Sequence, residues 1–294
     1  MNSKLMKRSY PELLIIPPFV LYLIFIMAPN IASFYFSFTN WNSFSDTIRF
    51  TGLDNLKDIF SSSYGISSVL TNTTIFAFFS TILKIVFGLI LAVFLNEGIR
   101  SRDTLRAIFF LPMTFATVLV GMIFSEMYQP DGLINSCLSA VGLQSLSQNW
   151  ITDTHLAIWS CAGVEVWRAS GFAMAVFLAA LQMVPKEIYE AVEVDGANNW
   201  QKFIHITIPY LYQAFEVNVI LGLISGFKVF DIVYLVTNGG PGRASEVLNV
   251  TVLNDFSKGL YGHSTALGMI LFVFITIIYF IVNSILTRFE VDVS

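Results

Sequence analysis

The chain has 294 residues, of which 55% are hydrophobic and only 12% are charged, about half of the roughly 25% usual in soluble domains. With a mean hydropathy of +0.69, it has too few polar groups to cover a surface in water, which disfavours a soluble domain and excludes disorder. The net charge of −4 gives no attraction to nucleic acid. Cys137 and Cys161 lie outside any CxxC or Cys/His cluster, so no zinc site or disulfide framework is expected.

Six apolar segments are long enough to cross a membrane, which takes about 20 mostly apolar residues. The first follows a basic N-terminus but lacks a small-residue cleavage site before Trp41, so we expect a retained span and not a signal peptide. Backbone in lipid must satisfy its own hydrogen bonds, which favours helices. The sequence therefore predicts an all-α integral membrane protein with one transmembrane domain over 1–294 and spans at about 13–38, 73–95, 107–126, 156–181, 210–236 and 264–287.

The basic residues predict the orientation, since cytoplasmic loops are enriched in Lys and Arg. Six spans put both termini on one side, which carries Lys4, Lys7, Arg8, Arg100, Arg102, Arg106, Lys186, Lys202 and Arg288. The other side carries Arg49, Lys57, Arg243 and Lys258. Nine basic residues against four place both termini in the cytoplasm.

The cytoplasmic segment 185–209 does not resemble an ordinary loop. Pro185 suits the start of a helix, and Gly196 suits a left-handed helix stop. Asn198 with Gln201 three residues later can cap a second helix, and Pro209 ends or kinks it. We therefore expect two short helices joined by a sharp turn, with an apolar patch for a partner's groove; a helix pair resting on lipid headgroups is the alternative.

This segment resembles the EAA loop of ABC-importer permeases. The similarity rests on Glu190-Ala191-Val192, on Asp195-Gly196-Ala197 and on Phe203, Ile206, Ile208 and Pro209; Val192 and Ile208 replace Ala and Leu of the family pattern. Further similarity, to the carbohydrate-type, maltose-permease-like subfamily, lies in Trp167, Gly171, Ala180-Leu181-Gln182, Phe230-Asp231, Thr237 to Pro241 and Tyr261 to Ala266. The resemblance implies the type I importer permease fold, with six transmembrane helices and cytoplasmic coupling helices.

The resemblance also implies the partners and the energy source. The chain has no GxxxxGK[ST] phosphate loop, so we expect no ATPase site of its own and no cofactor in this chain. The family implies an ATPase dimer that binds ATP and Mg²⁺, a second, related but different permease chain, and an extracytoplasmic solute-binding protein that delivers a sugar or polyol. The expected location is a bacterial or archaeal inner membrane.

Within this picture, roles are expected for the residues of the EAA loop. Glu190 pairs with a cation of the ATPase or caps a backbone, Ala191 allows close approach, Asp195 caps the turn and Gly196 sets the angle between the helices. Trp200 and Phe203 fill the partner's groove, and Pro209 ends the second helix or kinks it into the fifth span.

Polar side chains inside the predicted spans are candidates for a substrate path, since intramembrane charges usually face the bundle or a wet cavity. Glu165 and Arg168 are three residues apart in one span, and Lys228 and Asp231 repeat this spacing, so each pair can form on one helix face. Trp167 and Asn218 lie nearby. Bracing of the bundle by internal salt bridges is the alternative. The turn Asn238-Gly239-Gly240-Pro241 either contacts the binding protein or only reverses the chain.

Two other function classes compete with the importer permease as explanations of the residues. A secondary transporter would use Lys84, Glu165 and Asp231 as ion couplers, but it leaves the ordered segment 185–209 unexplained. An intramembrane enzyme would require a clustered catalytic set such as HExxH or paired intramembrane acids, and the sequence has neither.

Overall fold

A computed structural model describes residues 12–96 and 101–288. Within them the regular structure is helical, with one isolated antiparallel bridge between Thr39 and Phe50. The predicted all-α class is confirmed. The chain groups into two compact units, Met1–Gly65 with Val252–Phe272 and Ile66–Thr251 with Val273–Ser294, each described by itself below. One domain over 1–294 stays a prediction, and Lys4, Lys7, Arg8 and Arg100 lie outside the described residues.

Four of the predicted spans, the first, second, fourth and sixth, each correspond to one long helix. In chain order, the helices are α1 (Ile16–Phe36), α2 (Asp54–Ile59), α3 (Ile66–Asn96), α4 (Arg102–Thr114), α5 (Thr117–Met127), α6 (Leu133–Ala140), α7 (Ala157–Leu181), α8 (Lys186–Val194), α9 (Asn199–Tyr210), α10 (Tyr212–Phe227), α11 (Asp231–Val236), α12 (Leu248–Ser257) and α13 (Tyr261–Leu286). Among the described residues, α1, α3, α7 and α13 are long and apolar enough to cross a membrane, and two bent pairs raise the number to as many as six.

The third predicted span, 107–126, is not one straight helix. It consists of α4 and α5, which meet at 91°. Pro112 in the last turn of α4 has no amide hydrogen to donate, and Phe115 and Ala116 adopt extended backbone angles. An apolar run therefore predicts the length of this segment but not its break.

The fifth predicted span, 210–236, is also interrupted. Helix α10 ends at Phe227 and α11 begins at Asp231. The side-chain amide of Asn249 donates to the carbonyl oxygens of Lys228 at 2.9 Å and Val229 at 3.4 Å, which satisfies two groups that the break leaves without helical partners. The break removes the i,i+3 geometry on which the expected Lys228–Asp231 pair depended.

The first unit is held together by polar contacts around α2 and the start of α13. The side-chain amide of Asn55 donates to the carbonyls of Ser37 and Thr39, and the amide of Gly262 donates to Trp41 at 2.7 Å. Asp255 accepts hydrogen bonds from the Tyr64 hydroxyl at 2.6 Å and lies 2.7 Å from Nδ1 of His263. Together these contacts tie segments that are far apart in the sequence.

The second unit is a helical bundle in which small residues allow close approach. A β-carbon on Gly171 of α7 would lie 2.1 Å from the carbonyl oxygen of Phe109 in α4, and one on Gly88 of α3 would lie 2.5 Å from Cβ of Ala173. The buried core near these crossings includes Leu95, Met174, Phe177, Leu178 and Leu211. Glycine at the crossing thus determines how near α4 can pack to α7.

We expect Gly171→Val to push α4 away from α7, because backbone atoms cannot move aside as a flexible side chain can. The cost should be at least 1–3 kcal/mol, roughly that of overpacking a core. Thermal unfolding of the detergent-solubilised protein measures the effect. Gly268→Ala is the matched control, since no atom lies within 4 Å of its added β-carbon; equal melting temperatures for both variants would contradict the close-packing account.

The Asp255 carboxylate should stabilise the fold in a pH-dependent way. Burial alone would raise its pKa, but hydrogen bonds from His263 and Tyr64 and the charges of His263 and Lys258 outweigh burial, so the pKa lies below its usual 3.8. The carboxylate therefore stabilises the fold above pH ~4, and this contribution disappears as the pH falls through the lowered pKa. Asp255→Asn should cost about 1–3 kcal/mol at pH 7, the penalty for breaking a buried charged hydrogen bond. Denaturation at a series of pH values checks that the difference from wild type narrows below pH ~4.

Candidate functional site

The second unit contains a cavity of about 320 Å³ among α3, α4, α7 and α10. This volume is within the range of roughly 300–1,000 Å³ typical of small-molecule sites. Apolar side chains form most of its wall, and five polar ones interrupt it. The polar lining residues are Lys84, Glu165, Arg168, Asn218 and Ser225, and the apolar ones include Ile85, Met113, Phe172, Leu221 and Ile224.

Three charges meet at one wall of this cavity. Oε1 of Glu165 lies 3.4 Å from Nζ of Lys84, and Oε2 lies 2.9 Å from Nη2 and 3.1 Å from Nε of Arg168. Only 7% of the side-chain surface is exposed for Lys84 and Glu165, and 15% for Arg168. One buried carboxylate therefore serves two cations, an arrangement that we name the charge triad.

The charge triad contains one ion pair within a helix and one between helices. Glu165 and Arg168 are three residues apart on α7, as the sequence predicts for one helix face. Lys84 comes from α3 and also donates to the hydroxyl of Ser225 on α10 at 3.4 Å. The lysine thus links three helices through polar contacts, which the spacing of charges within one span cannot predict.

Of the other two aromatic and amide candidates for the substrate path, one lines the cavity and one does not. Asn218 lines the cavity, and its amide donates to the carbonyl of Ala214 at 2.9 Å. Trp167 is absent from the cavity wall, is 48% exposed and packs against Phe124 at a ring distance of 5.2 Å.

Lys228 and Asp231 do not form the expected pair. Lys228 is exposed and Asp231 is half-buried, and no ion pair joins them in the described part of the chain. The pairing expected for Lys228 and Asp231 is therefore wrong, because the helix is broken between them.

The segment 185–209 folds into two helices with a sharp bend, as the sequence predicts; we call residues Lys186–Tyr210 the elbow. Gly196 has a φ of +83°, its amide donates to Glu193, and the amide of Ala197 donates to Val192. This pair of bonds is the Schellman arrangement that closes a helix before a left-handed residue. Asn198 and Gln201 form a reciprocal capping box at the start of α9, as expected.

Contacts between the two helices brace the elbow. Lys202 of α9 pairs with Glu193 of α8 at 3.1 Å, and the hydroxyls of Tyr189 and Thr207 are 3.0 Å apart. These contacts join the two helices on either side of the bend.

Most of the residues expected to couple to the ATPase are exposed on the elbow: Glu190, Ala191, Asp195, Gly196 and Trp200. Phe203 and Pro209 are half-buried. Trp200, 68% exposed, lies with its ring 6.0 Å from that of Phe203. The elbow thus presents an exposed aromatic group on a braced support.

The candidate contact turn at Asn238 to Pro241 is mostly packed. Asn238 is exposed, with a φ of 50°, but Gly239 is buried and Gly240 and Pro241 are half-buried. The hydroxyl of Ser245 donates to the carbonyl of Gly240 at 2.6 Å, and its amide donates to that of Gly239 at 3.2 Å. Only Asn238 of these four is well placed to meet another protein.

The family profile of binding-protein-dependent transport system inner membrane components matches residues 84–291, which include both the charge triad and the elbow. This chain belongs to that family. It is a multi-pass inner-membrane permease of a binding-protein-dependent ABC importer, and this membership decides against the secondary-transporter alternative.

Full-length relatives agree with this membership. The chain is 33% identical to the probable ABC transporter permease protein YurN of Bacillus subtilis, over 90% of this chain and 92% of the relative. It is also 33% identical to the trehalose/maltose transport system permease protein MalF of Thermococcus litoralis, over 95% and 96%. A bacterial importer of the acidic polysaccharide alginate has the same fold, with a TM-score of 0.81, 23% identity and coverage of 97% of this chain and 98% of that one.

We expect Glu165→Gln to destabilise the protein strongly, because it leaves two buried cations without their shared carboxylate. Breaking a buried pair in this way costs about 3–5 kcal/mol. Asp54→Asn removes the carboxylate of an exposed pair, Asp54–Lys57, and is the matched control, with an expected change below about 1 kcal/mol. Thermal unfolding in detergent compares them; if Glu165→Gln melts like the control, the charge triad does not hold the bundle.

Proposed function

We propose that this permease forms half of the translocation pathway for a sugar, and that the sugar passes through the cavity at the charge triad. The cavity combines charged and amide groups with apolar walls and one aromatic ring, Phe172, and this mixture suits a ligand with both hydroxyl groups and carbon–hydrogen faces. Named relatives support the substrate class: besides the trehalose/maltose permease, they include the multiple sugar-binding transport permease MsmF of Streptococcus mutans, 29% identical over 98% of this chain.

The energy is proposed to come from a separate ATPase dimer that binds ATP and Mg²⁺, with no ATPase site and no cofactor in this chain. The elbow is the proposed docking element. Trp200 and Phe203 would enter a groove of the ATPase, and Glu190, which is exposed, would pair with a cation there. Because the Lys202–Glu193 pair and the Tyr189–Thr207 contact brace the elbow, it would move as one body and pass the motion to α10 across a bend of 63°.

The remaining partners follow from the same proposal. A second, related permease chain would complete the pathway, and an extracytoplasmic binding protein would deliver the sugar, with Asn238 as the exposed contact on the outer side. A relative in fold, the alginate importer, has been solved in complex with its periplasmic protein. Both termini and the elbow would face the cytoplasm, since basic residues are more frequent on that side.

Reconstitution of the complete importer in liposomes tests the proposal. The permease, its genomic neighbours encoding a second permease and an ATPase, and the binding protein should together take up a labelled oligosaccharide only when ATP is supplied. Omission of any one component should abolish uptake. Uptake driven by an ion gradient without the ATPase would refute the proposal.

We predict that the backbone conformation at Gly196, and not steric crowding, determines which substitutions the elbow tolerates, since no atom lies within 4 Å of an added β-carbon. At a φ of +83°, a β-branched residue is strongly disfavoured, whereas Asn tolerates left-handed angles. Gly196→Val should therefore reduce ATPase stimulation by the loaded binding protein about tenfold or more, and Gly196→Asn should retain most of it. Co-purification of the ATPase with each variant measures assembly: loss of co-purification means that docking fails, and retained co-purification with lost stimulation means that coupling fails. Equal ATPase stimulation in both variants would contradict the role of the turn.

A further inference from the structure

The cavity carries one positive charge that its own wall does not balance. Lys84 and Arg168 bring two positive charges and Glu165 brings one negative charge; the other described lining residues are neutral. All three side chains are largely buried, so water screens this excess poorly. A buried charge without a counterion is costly, which favours a ligand that supplies the missing negative charge.

The donors of Arg168 show where such a ligand would bind. Its Nε and Nη2 donate to Glu165, but Nη1 meets the thioether sulfur of Met113 at 3.5 Å, which is a weak acceptor. Nζ of Lys84 has three donors, and its two contacts, with Glu165 and Ser225, are both long at 3.4 Å. Both cations therefore keep donor capacity at the cavity wall, within the same cavity as the amide of Asn218.

We propose that the transported sugar carries a carboxylate, as uronic acid residues do, and that Lys84 and Arg168 bind this group during passage. This inference rests on the proposed function, since it names the substrate class of the same cavity. One carboxylate neutralises the single excess charge, whereas a phosphate group carries about −1.5 to −2 charges and would leave a net negative charge. The planar guanidinium of Arg168 also matches the two oxygens of a carboxylate.

The sugar ring itself would lie against the apolar part of the wall. Phe172 and Leu221 offer carbon surface there. The carboxylate would thus determine the orientation of the ring, and the apolar wall would accept different sugars at the other positions. Selectivity would depend on the acidic group and not on one particular stereochemistry.

Competitive uptake by the reconstituted importer tests the proposal. The probes are a hexuronate disaccharide, its neutral hexose counterpart and a sugar phosphate, with the same binding protein throughout. Lys84→Gln removes the excess charge but leaves the Glu165–Arg168 pair intact, and Lys84→Arg keeps the charge. Lys57→Gln, an exposed cation of the other unit, controls for charge removal as such.

We expect the wild type to prefer the hexuronate, and Lys84→Gln to lower the ratio of hexuronate to neutral uptake about tenfold, the size of one charged hydrogen bond. Lys84→Arg and Lys57→Gln should keep the wild-type ratio. A lysine that only braces the bundle would change total uptake without changing this ratio. Preference for the neutral sugar or for the sugar phosphate in the wild type overturns the carboxylate proposal but leaves the sugar importer standing, whereas uptake of no sugar refutes both.

Discussion

The structure depends on how three charges are accommodated inside a bundle that is otherwise apolar. Glu165 bonds both Arg168 on its own helix and Lys84 on α3. Each of these ions alone would be too costly to bury, but together they satisfy most of one another's requirements. Because Lys84 also reaches Ser225 on α10, the same contacts that make burial possible hold three helices around one cavity. The same three side chains thus line the cavity and brace the bundle.

In the proposed mechanism, the elbow transmits a movement of the ATPase into the bundle, which requires a rigid connection. A flexible loop would absorb the motion of a docked partner. Here a Schellman turn at Gly196, a capping box at Asn198 and the Lys202–Glu193 pair fix the angle between α8 and α9. Exposed Trp200 lies on this braced support, so the part that a partner would grip and the part that holds its shape are adjacent in the sequence.

Much of this local structure was predictable because local rules govern it. The span at 156–181 and the helix Ala157–Leu181 agree within one residue, and the turn at Gly196 lies where expected. Predictions that assumed an unbroken helix were wrong: the Lys228–Asp231 pair fails because α10 ends at Phe227, and the span at 107–126 bends by 91°. Hydropathy measures the apolar character of a segment and does not register where extended residues interrupt it.

The sequence by itself determined the class of the protein, the approximate spans, the Glu165–Arg168 pair and the two helices of the elbow, because hydropathy, i,i+3 spacing and capping signals act over a few neighbouring residues. Only the tertiary structure decided that Lys84 joins Glu165 from 81 residues away, that Asn218 and Ser225 share its cavity and that Trp167 does not. Which faces of separate helices meet depends on the close approach at Gly171 and Gly88 and on the broken helices. Those are properties of packing between segments, and no single segment contains them.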